Sequence, residues 1–382
     1  MNMTEVYFLD ASLARCCGPM EELRSLVWSE RYDACGTFSM ELPLTASAAA
    51  AEAVFAEVVG QKSLGRVEKL SCDEEKGTLT VGGRMAESLL GDRIILRGTR
   101  AQGTLAAALA DVLGQNAVGE DAGERAIPHL TLGTFSGLED GDGDPLTADL
   151  RCGGEALDEW LREVLADVGA SYRICLNAAG DALVLEVYRG LDRTQAQEEN
   201  SFAVFSTSFA SLGNITYTAD ASEYKNFAFV AGEGEGEDRV EVTVDLRADP
   251  DEPLRELFVD ARDLRSTGED GETVMTAAAY RRLLEARGRE RLAEHGQVRR
   301  VEGMTAVVPT GEGTGEAFGC MRAGVDFALG DLCDVVCERL GMVLSERVTE
   351  LTTVIEGAGS VSYARFGSTY PDLRTRLMRA GR

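Results

Sequence analysis

The chain has 382 residues, 44% of them hydrophobic, which suffices for a large core without disulfide staples and for two or three domains. Lys and Arg total 38 against 65 Asp and Glu, and the formal charge of -27 excludes a protein that grips phosphate backbones by net charge. The two histidines, His129 and His295, exclude a His-rich metal centre.

Residues 5–10 alternate weakly and predict a first strand. Leu26-Val27-Trp28 and the run from Arg31 to Leu44 predict two more, because Phe38, Met40 and Leu42 alternate with polar neighbours. Ala46 to Val59 is rich in alanine and predicts a helix stopped at Gly60. Leu64–Asp73 and Thr78–Arg84 predict a hairpin around the turn at 74–77. A short helix at Glu87–Leu90 and a strand at Arg93–Leu96 follow.

From Gly103 to Asn116 the period becomes helical, with Leu105, Leu109, Val112 and Leu113 on one face. Gly154–Val168 is the clearest helix, and a hairpin of Ser171–Leu176 and Ala182–Tyr188 comes after it. Strand patterns return at 202–231, 238–246 and Leu254–Asp260, with an acidic loop over 232–238. Thr273–Glu294 reads as a long helix with Tyr280, Leu283, Leu284 and Leu292 inward. Strands at Val298–Val308, Phe327–Cys337, Met342–Ile355 and Val361–Phe366 precede a short helix at Pro371–Met378. The expected architecture is mainly β (α+β). A split first β-barrel spans 1–98 plus about 199–235. An α+β insertion occupies 99–198, and a second β domain covers 236–368, including helix 273–294. A C-terminal helix or tail covers 369–382.

No motif carries chemistry. Asp140, Asp142 and Asp144 have the spacing of a calcium loop, but Pro145 and Arg151 stand where that loop needs Gly and Glu. Ser222-Glu223-Tyr224-Lys225 matches an acylating Ser-x-x-Lys without its Lys-Thr-Gly partner. Gly311–Gly315 lacks the Gly-Lys-Ser/Thr ending of a phosphate loop, and its glutamates repel phosphate. His129 sits in an apolar run as a structural residue, and His295 ends a charged helix where the dipole favours a cation. The nine cysteines form no Cys-x-x-Cys; Cys333 and Cys337 read as buried thiols in a strand, and a reducing cytoplasm is the expected site of synthesis. No apolar run reaches 18 residues. No leader pattern opens the chain.

Six segments in order carry a resemblance. They are Trp28–Phe38 with Glu41–Leu44; Gly65–Glu68 with Val81–Arg84 and Ser88–Ile95; Val187–Thr194; Val204–Ser206 with Gly213-Asn214 and Tyr224–Asn226; Arg255–Asp263; and Phe327–Asp331 with Ser345–Glu350. Together they resemble the siphophage tail proteins of the ReqiPepy type, relatives of the baseplate or tail-tip hub. The residues that stand out are Arg31, Gly36, Phe38, Gly83, Arg84, Arg93, Gly190, Asp192, Arg193, Thr194, Lys225, Asn226, Gly330 and Asp331. Their expected role is fold maintenance: the glycines at turns and bulges, and Arg93, Arg193 and Arg347 paired with carboxylates at corners.

The resemblance implies two tube-like antiparallel β-barrel domains and a homotrimer at the distal end of a phage or prophage tail. It implies a virion component whose partners are the tail tube or distal tail protein and other baseplate proteins. Genomic DNA would pass without specific binding, and no membrane is implied. No catalytic, cofactor or metal residue is expected. An acidic lumen would repel phosphate over roughly 8–10 Å. The rivals are a tail-associated hydrolase of peptidoglycan or capsule, which needs a carboxylate pair in a cleft, and a glycan-binding adhesin, against which an aromatic content of 6% weighs.

Overall fold

The computed structural model describes residues 5–20, 23–46, 50–236, 239–247, 249–267, 275–309, 319, 321–356 and 359–367. The molecule is mostly β, and its strands are mainly paired antiparallel. It divides into two units: one runs to Thr216 and resumes at Val301, the other spans Tyr217–Arg300.

The first unit is organised by one long sheet. Its path runs Gly213–Asp220, Val298–Pro309, Gly359–Gly367, Met342–Glu356, Ser25–Arg31, Thr37–Pro43, Thr78–Met85, Gly65–Asp73, Phe55–Val58, Val6–Leu9 and Arg15–Cys17. Val204–Phe205 pairs in parallel with Leu332–Cys337, which joins Met342–Glu356. Strand Met342–Glu356, read from sequence as part of a second β domain, therefore lies between Ser25–Arg31 and Gly359–Gly367. Period-two alternation puts Leu26, Trp28, Phe38, Met40, Leu42, Leu79 and Val81 in one core. Trp28 and Phe38 meet there with ring centroids 5.3 Å apart.

Residues 99–188 add two helices, α1 (Leu105–Asn116) and α2 (Leu157–Asp167), and two small sheets. Thr104 caps α1 by accepting from the Ala107 N–H. Both helices bury their apolar stripes in a core shared with Leu9, Leu13, Phe55, Leu64, Ala86 and Leu90.

The second unit is a three-stranded sheet. Phe227–Ala231 lies between Glu241–Asp245, antiparallel, and Glu256–Asp260, parallel. Helix α3 (Ala277–Glu294) packs Tyr280, Leu284 and Leu292 onto Val230, Val244 and Val259.

Two local expectations change, and two strands were not expected. Phe55–Val58 is a strand, not the end of an Ala46–Val59 helix: its buried side chains pair with Val6–Leu9, and tertiary pairing overrides alanine propensity. Arg93–Leu96 makes only an isolated bridge, Ile94 to Ala156; the strand begins at Thr99 and takes in Gly103 and Thr104. Strands Arg15–Cys17 and Thr147–Cys152 have no clear signal in the sequence. The expectations for Gly311–Gly315 and Pro371–Met378 lie outside the described residues.

Candidate functional site

The residues singled out from sequence converge on knots of backbone and side chain. The largest gathers Gly190–Thr194 and Gly330–Asp334. Asp331, 2% exposed, accepts from the Leu191 N–H at 2.8 Å and the Ala328 N–H at 2.9 Å. It also takes the Arg193 Nε at 2.6 Å. Arg193 continues to Ser201. The Arg193 N–H donates to Leu332 O, and the Leu332 N–H to Leu191 O. Asp192 turns back to accept from the Thr194 N–H and hydroxyl at 2.9 and 2.8 Å. Gly330 has φ +93°, and Cβ atoms at Gly190 and Gly330 would overlap the facing backbone and Tyr32 respectively, so both positions demand glycine.

Around this knot Tyr32 acts as a post. Its N–H donates to Thr349 O, its hydroxyl to Gly169 O at 2.8 Å, and its carbonyl accepts from the Ser171 hydroxyl. Arg347 lies over the Tyr32 ring and donates to Gly330 O. Arg93 likewise binds carbonyls, those of Arg125 at 2.6 Å and Asp92 at 3.1 Å. Arg93 and Arg347 thus bind corner carbonyls where the sequence led us to expect carboxylates. A backbone kept in irregular turns leaves carbonyls to satisfy, and guanidinium serves them well.

The other motif residues sit elsewhere in the first unit. Arg84 grips Glu68 through two nitrogens, the shorter contact 2.6 Å, and holds that carboxyl below its usual range. Gly83 faces the bulge in Gly65–Asp73, where a side chain would strike Arg66 O, and Gly36 lies against Ser29 O. In the second unit Asn226, 1% exposed, is the knot. Its Nδ2 donates to Glu252 at 3.0 Å and Pro253 O at 3.1 Å, and its Oδ1 accepts from the Arg255 N–H at 2.7 Å. Lys225 donates its N–H to His295 O, at the end of α3.

A trough of about 400 Å³ opens on the long sheet, lined by Asn214, Thr216, Glu302, Glu350, Tyr363 and Arg365 among others. An ion-pair ladder crosses it: Arg31 to Glu350 at 3.3 Å, Glu350 to Arg365, Arg365 to Glu302 at 3.1 Å. Sequence reading selected only Arg31 as a site residue from this ladder, because its four members lie on four strands and Arg31 is far from the other three in the chain. The ladder joins four strands of the sheet through charge-assisted contacts and so suits a staple across them.

The weak motifs resolve as turns. Asp140 accepts from the Asp142 and Asp144 N–H groups at 2.9 and 3.0 Å, which makes its loop an Asx-type turn. Ser222 and Lys225 lie in irregular backbone, and the Ser222 N–H donates to Asp220. His129 has φ +62° and lends its carbonyl to Leu183 N. No cluster of metal-ligating residues occurs among the described residues, and none of their helices is long and apolar enough to cross a membrane.

The family model described as "Siphovirus ReqiPepy6 Gp37-like protein" matches residues 5–368. A comparison with curated proteins returns no match. Among solved structures, the tail protein from Neisseria meningitidis MC58 superposes with a TM-score of 0.56 at 14% identity, covering 96% of this chain and 97% of that one. Prophage tail protein gp18 from Listeria monocytogenes EGD-e gives 0.53 at 10% identity, covering 99% and 98%. The 43 kDa tail protein of prophage MuSo2 from Shewanella oneidensis gives 0.51 at 13% identity, covering 90% and 93%. These likenesses show a shared fold.

Proposed function

The chain belongs to the siphovirus ReqiPepy6 Gp37-like family of tail proteins, and we propose that it is a non-enzymatic hub at the distal end of a phage or prophage tail. In this reading three copies form a ring that joins the tail tube, or a distal tail protein, to other baseplate proteins. The chain then divides into two tube-like β domains, with residues 99–198 inserted, and the motif residues maintain those domains.

The observation that carries the reading is the family match over residues 5–368, in a fold shared end to end with phage tail proteins. The site geometry agrees with a passive role. Its buried charges are spent on holding turns and strands together, as in the Arg193–Asp331 pair. The charge of -27 suits a channel through which DNA slides without sticking.

Antibody raised against this chain and applied to intact tails tests the reading. Label at the distal tip supports it. Label along the shaft, or on the capsid, contradicts it.

A further inference from the structure

A polar seam lies where α2 and strand Ser171–Leu176 meet the turn Ala86–Asp92. The turn belongs to the strand scaffold, tied by Met85 N–H to Gly36 O and Ala86 N–H to Leu64 O. Glu87 is 6% exposed and Ser88 is fully buried. Glu87 Oε2, Ser88 Oγ, Arg162 Nη2 and Tyr172 Oη are buried without a hydrogen-bond partner among the described residues. Glu87 Oε1 accepts from the Ile174 N–H at 3.4 Å, a direct polar tie across the seam. The Arg162 guanidinium lies over the Tyr172 ring, 4.8 Å from its centroid. A buried carboxylate with an unpartnered oxygen is costly, and a carboxylic acid in the same place costs far less.

We propose that this seam is a proton-operated latch: with a proton on Glu87, residues 99–188 dock firmly on the strand scaffold, and loss of that proton loosens the docking at Ile174.

The charges facing Glu87 come from every packed element. Glu30 reaches it from strand Ser25–Arg31 and Cys35 from the following loop, and Arg84, on the strand that ends in its own turn, faces Cys35. Asp158 and Arg162 come from α2, and Tyr172, Arg173 and Cys175 from strand Ser171–Leu176. Arg84 is committed to Glu68, Arg173 to Glu186, and Arg66 to Asp92 and Ser88 O, so Arg162 is the cation left to the seam. Burial outweighs it and pushes the Glu87 carboxyl up to about 7, against the pull of its own N–H, of Arg162 and of the Ile174 N–H.

The sign follows from proton counts. An opened seam returns Glu87 to water and to its ordinary range, so between that range and pH 7 the closed seam holds more protons. The latch is therefore tightest in acid, weakens as pH rises through 7, and changes little above. Glu30, also raised by burial, bonds Ser63 within the strand scaffold, so opening the seam leaves its hydrogen bonds in place.

Amide hydrogen exchange on the purified chain at pH 6 and pH 8.5, corrected for intrinsic chemistry, tests the latch whatever the chain's assembly. Strand Thr78–Met85 serves as the internal reference. Opening at Ser171–Leu176 is expected to rise about tenfold in the wild type, since about one pKa unit separates pH 6 from the closed-state midpoint and each unit is worth a factor of ten, with the reference unchanged. Glu87→Gln removes the rise and Glu30→Gln retains it. A wild-type seam indifferent to pH, or a rise that survives in Glu87→Gln, overturns the proposal. Should Glu87→Gln fail to fold, carbon NMR of wild-type Glu87 decides: a midpoint near 7 that coincides with the exchange midpoint supports the latch, and a midpoint in the ordinary carboxyl range overturns it.

Discussion

Asp331 and Arg193 stand 138 residues apart in sequence and form the most buried of the charged contacts among the described residues. Their side chains are 3% and 14% exposed. Asp331→Asn leaves the guanidinium without its counter-charge, and breaking a buried pair from one side costs about 3–5 kcal/mol. Denaturant midpoints should fall accordingly, and adding Arg193→Leu should recover part of the loss in a double-mutant cycle. Additive losses would mean the pair is not a unit. Glu338 offers a pH readout. Its carboxyl is held down to about 2 by the Ser206 hydroxyl, then by Ser208. A depressed carboxyl stabilises above its ordinary range, and that contribution is lost as pH falls through about 2. Ser206→Ala should move the Glu338 titration upward, measured by carbon NMR; an unchanged midpoint would show that the backbone donor suffices.

At the scale of elements, α3 tests packing against propensity. Gly288 faces the sheet, and a Cβ there would stand 2.7 Å from both Val230 and Val244. Gly288→Ala should gain up to about 1 kcal/mol of helix propensity and lose more to overpacking, which costs about 1–3 kcal/mol. Circular dichroism melts should show net destabilisation; a raised melting temperature would mean the helix shifts outward freely. Much of this level was legible in sequence. The hairpin Gly65–Asp73 with Thr78–Met85 announces itself by alternation around a short turn. Helix α2 does so by its apolar period, broken at Gly169. What stayed hidden is pairing across long distances. Nothing local marks Trp28 as the partner of Thr353, or Phe55–Val58 as a strand beside Val6–Leu9. The knot residues were visible as unusual glycines and charges, but the Arg193–Asp331 contact and the Tyr32 post depend on the folded chain.

At the scale of the molecule, a chain carrying -27 repels its own copies, more strongly at low salt. If three copies close a ring, apolar and hydrogen-bonded contacts must overcome that repulsion, so assembly should strengthen as ionic strength rises. The same charge, turned to the lumen, would keep phosphate from binding. Light scattering after size exclusion, over a concentration series and with electron microscopy of each species, tests the central claim most directly. The hub reading predicts a particle of three chains with a central hole. A compact monomer at every concentration, unchanged when the tail-tube protein is added, would contradict it.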